Sequence, residues 1–245
     1  MRPIPFTQML EWIFKEYELK QSIFEIPAVK FFNNGKSPCT QIFNEKLDLP
    51  IGPAAGPHTQ LAQNIVSSYL VGGRFFELKT VQKLDKLEIK KPCIDMLDEG
   101  YNTEWSQELT LEESYDEYLK AWFIIHMVKQ VFGLSSIDDK GFIFNLSVGY
   151  DLEGIKTKRM DQFINDLIYA HEHNSFNQYK DELISFVKQN KKSFFKEELV
   201  NSLYNITSDI SNSVTLSTMH GCPPDEIERI VSYLVTEKNL HTYVK

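Results

Sequence analysis

Apolar positions along this chain follow two rhythms, one helical and one strand-like, and they alternate. Phe6, Met9, Leu10, Ile13, Phe14 and Tyr17 recur three and four residues apart. That spacing predicts an amphipathic helix over residues 6–19, with packing as its role. Pro27 and the Asn33-Asn34-Gly35-Lys36 turn close this leader. β-like segments follow at 40–43 and 49–54. A helix begins at Thr59, carries Leu61, Ile65, Val66, Tyr69 and Leu70 on one side, and ends at Gly72-Gly73. Residues 75–81 form the next apolar run.

Residues 82–114 read as an excursion, punctuated by Pro92, Gly100 and Asn102. Helical spacing resumes over 115–132 with Tyr118, Leu119, Trp122, Phe123, Ile125 and Val128. The run 141–148 is short and almost wholly apolar, as expected for a strand buried on both faces. A helix over 161–169 precedes a lysine-, glutamate- and asparagine-rich stretch, read as a helical insertion over about 171–212. Residues 214–218 make a strand. Pro223-Pro224-Asp225-Glu226 opens a helix with proline in its first turn and acids at its positive end, and 241–245 starts a further strand.

The order β-α-β, excursion, α-β-α, insertion, β-α-β implies an α/β fold with a parallel sheet and right-handed crossovers. About five strands are visible, against eight in a closed TIM (β/α)8 barrel. The expectation is therefore a partial barrel: a leader and β-like segment over 1–46, then the first part of the barrel over 47–245.

Composition narrows the function classes. With 42% hydrophobic and 13% aromatic residues in 245, a single sizeable core is expected. A formal charge of −8 gives no global support to nucleic-acid or acidic-membrane binding. The basic pairs around Lys90-Lys91 and 188–192 read as solvated faces. Cys39, Cys93 and Cys222 are an odd count with no C-x-x-C, so neither a disulfide framework nor a metal site is expected, and a reducing cytoplasm fits. The N-terminus lacks the apolar run of a signal peptide. The apolar stretch 122–128, broken by His126, is too short to cross a bilayer.

Candidate chemistry collects at the predicted strand ends, where parallel α/β folds bind ligands. The first supplies Ala54, Ala55 and Gly56, whose small side chains let a flat ligand approach the backbone. The second supplies Lys79 and Thr80, the third Asn145 and Ser147. The fourth gives Thr215, Ser217 and Thr218, followed by His220-Gly221-Cys222, and the fifth Lys245. This rim is rich in donors and lacks the paired carboxylates of glycoside hydrolysis. It suits a flavin, whose pyrimidine edge becomes anionic on reduction. On residues alone, a strand-end lysine such as Lys79 reads more readily as a salt-bridge or rim lysine, and Asn145 is readable as a group satisfying its backbone neighbours.

At these residues the sequence resembles the flavin-binding barrel of dihydroorotate and dihydropyrimidine dehydrogenases, in its PAAG and ELKT tips and later strand-end polar groups. It resembles more closely the N-terminal part of the selenate reductase YgfK subunit family. That likeness spans essentially the whole chain, through RPIPF, GPAAGPHTQLAQNIV, GGRFFELKTVQ, KPCIDMLDEGYNTEW, DEYLKAWF and STMHGCPPDEIE. It implies FMN held by Ala54, Ala55 and Gly56, with Lys79 and Thr80 near the ring and substrate. It also implies Lys245 at the pyrimidine end, and Asn102, Asn145 and Thr215 facing the flavin. The larger proteins of that family carry electron-donor modules with NAD(P)H, FAD and iron–sulfur sites, none of which lies in these residues. FMN affinity in this chain is expected to be weak, because barrels of this class hold the phosphate after strands seven and eight.

The dehydrogenases place Asn-Leu-Ser-Cys, or a final serine, at the general acid–base position. On the fourth strand the run aligned with it is Thr215-Leu216-Ser217-Thr218, making Thr218 the catalytic candidate. An unperturbed threonine hydroxyl is a poor base. Cys222 is the substitute candidate, at a helix start that favours a thiolate. His220 is readable as a proton shuttle or as a turn residue. His58 reads as a mouth or turn residue, His126 as a satisfied core residue, and His171 and His173 as solvent-facing. Three readings result: part of a flavin-dependent, multi-module oxidoreductase acting on a small molecule; a non-catalytic scaffold or electron-transfer subunit; and a Schiff-base aldolase using Lys79.

Overall fold

The structure is a computed structural model that describes residues 2–33, 35, 39–81, 109–135, 140–149, 151–190, 192, 194–195, 197–218 and 222–245. Helix α1 (Phe6–Lys20) buries Phe6, Met9, Leu10, Ile13 and Phe14, as its spacing predicts. A hairpin that the sequence analysis does not anticipate follows, β1 (Ser22–Ile23) and β2 (Ile26–Pro27). Its turn residues Phe24 and Glu25 have φ of 49° and 63°, unusual for side chains of this size. The Glu16 carboxylate compensates by accepting both turn amides and the Ser22 hydroxyl. These hydrogen bonds hold its pKa below the usual carboxylate value despite the opposing effect of burial.

A second hairpin, β3 (Thr40–Ile42) and β4 (Glu45–Leu47), precedes the main sheet. Then come α2 (Ala62–Leu70), β5 (Phe75–Glu77), α3 (Leu111–Phe132), β6 (Ile143–Gly149), α4 (Leu152–Ile155) and α5 (Lys158–Ile168). The expected insertion supplies α6 (Asn174–Gln189) and α7 (Glu197–Tyr204), before β7 (Ser213–Ser217), α8 (Pro224–Thr236) and β8 (His241–Val244). Helix α3 starts four residues before the expected 115 because Thr110 and Glu113 form a reciprocal capping box.

Strands β5, β6, β7 and β8 form one parallel sheet in that order, with Glu77 opposite Asn145 and Ser147 opposite Thr215. The expected strand at 49–54 lies along the free side of β5. Ile51 O accepts the Phe75 amide at 3.1 Å and Pro53 O accepts the Glu77 amide at 3.1 Å. Pro53 has no N–H to return to β5, so only half of the parallel ladder forms and the segment stays an extended edge. A Cβ at Gly52 would sit 1.8 Å from Phe75 O, which explains the glycine there.

One face of the sheet packs on the helices. Phe76, Phe142 and Phe144 make edge-to-face contacts, and Trp122 of α3 lies 5.2 Å from the Phe142 ring and 5.4 Å from the Phe144 ring. The other face is concave. Phe75 on the first strand and Tyr243 on the fourth have ring centroids 6.0 Å apart, whereas a flat sheet would separate their backbones by about 14 Å. The sheet is thus curled as a barrel wall is.

Packed side chains line the end of the sheet where the strands begin. Phe43 stacks on His241 at 4.3 Å and packs on Tyr243 at 5.0 Å. Glu45 binds Lys140 at 2.7 Å and accepts from Asn212 at 3.0 Å. The fully buried pair Arg74–Asp48, at 3.2 Å, ties the start of β5 to the entry segment. Leader and insertion share one core with the wall: Phe14 of α1 packs on Phe186 of α6 and on Phe194 and Phe195. Among the described residues no helix is long and apolar enough to cross a membrane.

Candidate functional site

Side chains alternate along each strand, so β6 sends Asn145 and Ser147 to the concave face while Phe144, Leu146 and Val148 face the helices. The neighbouring strands place Glu77 and Thr215 beside them. Asn145 is fully buried; its Nδ2 donates to Thr215 Oγ1 at 2.8 Å and to Leu146 O at 3.0 Å. Its Oδ1 is buried with no hydrogen-bond partner among the described residues.

The second tip is bulged. Leu78 N–H donates to Asn145 O, yet the next bond to β6 comes from Val81 N–H to Ser147 O, one residue later than a regular ladder allows. A bulge at Lys79-Thr80 re-aims side chains at the end of the strand. Thr80 Oγ1 reaches Ser147 Oγ at 2.7 Å, while Lys79 is 3% exposed and its amide donates to Thr59 O at 3.4 Å.

The first tip meets the second through Glu77, a residue the sequence analysis did not single out. Ala55 N–H donates to Glu77 Oε2 at 3.2 Å, and Lys245 Nζ lies 3.2 Å from the same oxygen and 3.4 Å from Oε1. One carboxylate thus joins the PAAG tip, the ELKT strand and the last strand. Its signal in the sequence is an acid in an otherwise apolar FFEL run, at a position that strand alternation turns inward. Two of the three expected backbone donors are used within the protein, because Gly56 N–H donates to Thr59 Oγ1 at 3.1 Å. A side chain at Gly56 would run into the His58 ring, whose Cε1 lies 2.5 Å from the Cβ position.

The fourth-strand candidates behave differently. Thr218 donates its hydroxyl to Lys245 O at 2.6 Å and its amide to the same oxygen at 3.0 Å, so both bonds fasten β7 to β8. Cys222 runs against the expected thiolate: burial pushes its thiol pKa up, and Glu226, Asp225 and Asp151 add to the shift. The Asn-Leu-Ser triplet sought on this strand occurs one strand earlier, as Asn145-Leu146-Ser147 on β6. The residue after it is Val148, fully buried and without a titratable proton. His220 and Asn102 lie outside the described residues, as does Cys93.

Of the other histidines, His126 packs edge-on against Trp122 and Phe142, at 4.8 Å and 5.4 Å, but its Nε2 has no partner among the described residues. His173 is half-buried rather than solvent-facing, with its ring 4.7 Å from Tyr115 and its Nδ1 accepting the Ser175 amide. His171 is exposed, as expected.

Comparison with known proteins sets this geometry in a family. Residues 24–245 match the family described as "Oxidoreductase YgfK, N-terminal TIM-barrel domain". The chain is 51% identical over 251 aligned positions to "Putative oxidoreductase YgfK" of Escherichia coli strain K12, and equally to the protein of that name in Escherichia coli O157:H7. The match covers 100% of this chain and 24% of each relative, so the chain spans about a quarter of their length. No solved structure matches it. The curled parallel sheet, alternating with helices and carrying its polar groups at the strand ends, belongs to the family of the YgfK N-terminal TIM-barrel domain.

Proposed function

We propose that the concave face holds flavin mononucleotide and that the chain is the flavin-barrel part of a multi-module oxidoreductase, which passes electrons or hydride to a small substrate. The observation that carries this reading is Asn145, a fully buried amide whose Oδ1 has no protein partner among the described residues. A buried acceptor without a donor costs roughly 1–3 kcal/mol. The cost is recovered when a ligand N–H fills the position. The edge of a flavin pyrimidine ring alternates carbonyls with an N–H, which suits an unpaired amide oxygen near the Lys245 ammonium. The residues present therefore fit the group.

When bound, the flavin supplies the two-electron chemistry. Asn145 Oδ1 would orient the ring edge, the side-chain amide being held in place by the bonds its Nδ2 donates to Thr215 Oγ1 and Leu146 O. Lys79 and Lys245 offset the negative charge that reduction brings, and Glu77 tempers Lys245. Phe43, Phe75, His241 and Tyr243 pack against one another beneath the ring as an aromatic floor. Electrons would come from modules with NAD(P)H, FAD and iron–sulfur sites, as the resemblance implies.

Titration of the chain with FMN, followed by absorbance and flavin fluorescence, tests the reading. Saturable though weak binding that falls with Asn145→Ala and Lys79→Ala is expected; no saturable binding at any accessible concentration overturns it. A second reading, electron transfer without acid–base chemistry in this barrel, is favoured by Val148 after the Asn-Leu-Ser triplet and by the Thr218 hydroxyl given to Lys245 O.

A further inference from the structure

The flavin reading asks the PAAG tip for backbone donors, and the structure distinguishes those that can be released from those that cannot. Each of these residues has a single main-chain N–H to give. That of Gly56 is committed: it donates to Thr59 Oγ1 at 3.1 Å, and the same hydroxyl donates to Gly56 O at 3.0 Å. Thr59 is fully buried, and its short β-branched side chain is stiff at χ1. This donor stays with the protein.

The N–H of Ala55 is held differently. Its acceptor, Glu77 Oε2 at 3.2 Å, sits at the end of an unbranched side chain. The same oxygen lies 3.2 Å from Lys245 Nζ, and Oε1 lies 3.4 Å from it. Lys245 therefore keeps a carboxylate oxygen even when Oε2 leaves the Ala55 amide. Neither side chain is enclosed, with Glu77 12% and Lys245 46% exposed, so an incoming ligand can reach the contact. The backbone of Glu77 stays fixed meanwhile, because its N–H donates to Pro53 O and the next one, from Leu78, to Asn145 O. Only the side chain has to move.

Within the flavin reading, on which this inference rests, Ala55 and Lys245 are two of the groups that hold the ring. Glu77 engages both, as an acceptor carrying the sign of charge that a reduced ring edge brings. We propose that Glu77 is an autoinhibitory residue of this tip: its carboxylate competes with the flavin for the Ala55 N–H. FMN binds as Oε2 gives up that bond and the carboxylate turns to Lys245 through Oε1. A ligand carbonyl then satisfies the amide, whereas a ligand without an acceptor leaves it to Glu77.

Two substitutions separate competition from charge. Glu77→Asp keeps the negative charge but draws it back by one methylene, which takes the 3.2 Å contact with Ala55 out of hydrogen-bond range. Glu77→Ala removes both the charge and the contact. The 245-residue chain is titrated with FMN and with lumiflavin, a neutral flavin without the phosphate, and followed by flavin fluorescence. Both variants are expected to bind either flavin about tenfold more tightly than the unaltered chain, the factor for one hydrogen bond to a charged group. Unchanged affinity in Glu77→Asp overturns the proposal. Weaker binding in both variants also overturns it, since Glu77 would then support the tip. So does a gain confined to FMN and Glu77→Ala, which is relief of phosphate repulsion alone.

A second measurement needs no variant. An amide that donates to a carboxylate shifts in the NMR spectrum when that carboxylate is protonated. The Ala55 N–H signal of the isotope-labelled chain should therefore follow the ionisation of Glu77, and should cease to follow it once FMN saturates. Coupling that persists at saturation overturns the proposal and leaves the flavin reading standing. Failure of the unaltered chain and both variants to bind either flavin overturns the flavin reading, and the proposal with it.

Discussion

Glu77 and Lys245 meet at 3.2 Å although their strands stand first and last in the four-stranded sheet. The contact exists because the sheet is curled, and it sets the charge at the proposed flavin edge. A positive charge there stabilises a reduced, anionic ring, and the carboxylate opposes that effect. In FMN-loaded protein, Glu77→Gln should therefore raise the flavin midpoint potential and Lys245→Met should lower it. A shift of roughly 30 mV corresponds to a tenfold change in a two-electron equilibrium. Redox titration against a reference dye measures both variants; shifts of the same sign would refute this account of the pair.

Gly52→Ala should be among the most damaging single-methyl additions in the chain. The new Cβ would meet a backbone carbonyl, Phe75 O, at 1.8 Å, so no side-chain rotation relieves the clash. Separating the 49–54 edge from β5 would also break the hydrogen bonds from Phe75 and Glu77. A loss of about 3 kcal/mol is expected, at the upper end of ordinary overpacking. Urea denaturation would show it as a lower midpoint.

Asp48→Asn should cost about 3–5 kcal/mol, because it leaves the Arg74 guanidinium buried without its counter-charge. Arg74 also donates to Tyr69 O at 2.7 Å and Gly73 O at 2.9 Å, and its guanidinium carbon lies 3.9 Å over the Tyr69 ring. Those contacts hold the cation in place, so it cannot swing into water when the carboxylate is neutralised. Thermal denaturation compared with Ser135→Ala separates the charge from a lost hydroxyl, since Ser135 donates to the other Asp48 oxygen at 2.9 Å.

The strands were legible where apolar residues run together. FIFNLSV and VTLS each read directly as a strand because both faces of the sheet are buried there. The 49–54 strand was legible as extended chain, but Pro53 removes the donor that would complete its ladder. The hairpin β1–β2 was not legible: Phe24 and Glu25 carry no turn signal, and their left-handed backbone is supported by the Glu16 carboxylate, which reaches them from the preceding helix. In the site, the tips were legible as small and basic residues. Glu77 was not, because its role comes from the curl that brings Lys245 to it. Thr218 was singled out by its place in the run aligned with the dehydrogenases, and only the structure shows its hydroxyl bonded to a backbone carbonyl.

His126 should make the fold acid-sensitive. Burial, with the nearby Lys129 and Lys140, pushes its pKa from 6.5 down to about 3, and no group among the described residues accepts from or donates to its Nε2. The folded state therefore keeps the ring neutral over a range in which the unfolded chain protonates it. Because the folded pKa is depressed, this stability is fully present above about pH 6.5 and is lost as pH falls from there toward 3. The slope is at most about 1.4 kcal/mol per pH unit, that of one extra proton bound by the unfolded state. His126→Phe keeps an aromatic ring against Trp122 and Phe142 and removes the titrating group. Its melting temperature should fall less between pH 7 and pH 5 than that of the unaltered protein, and parallel curves for the two would rule out His126 as the source of the acid sensitivity.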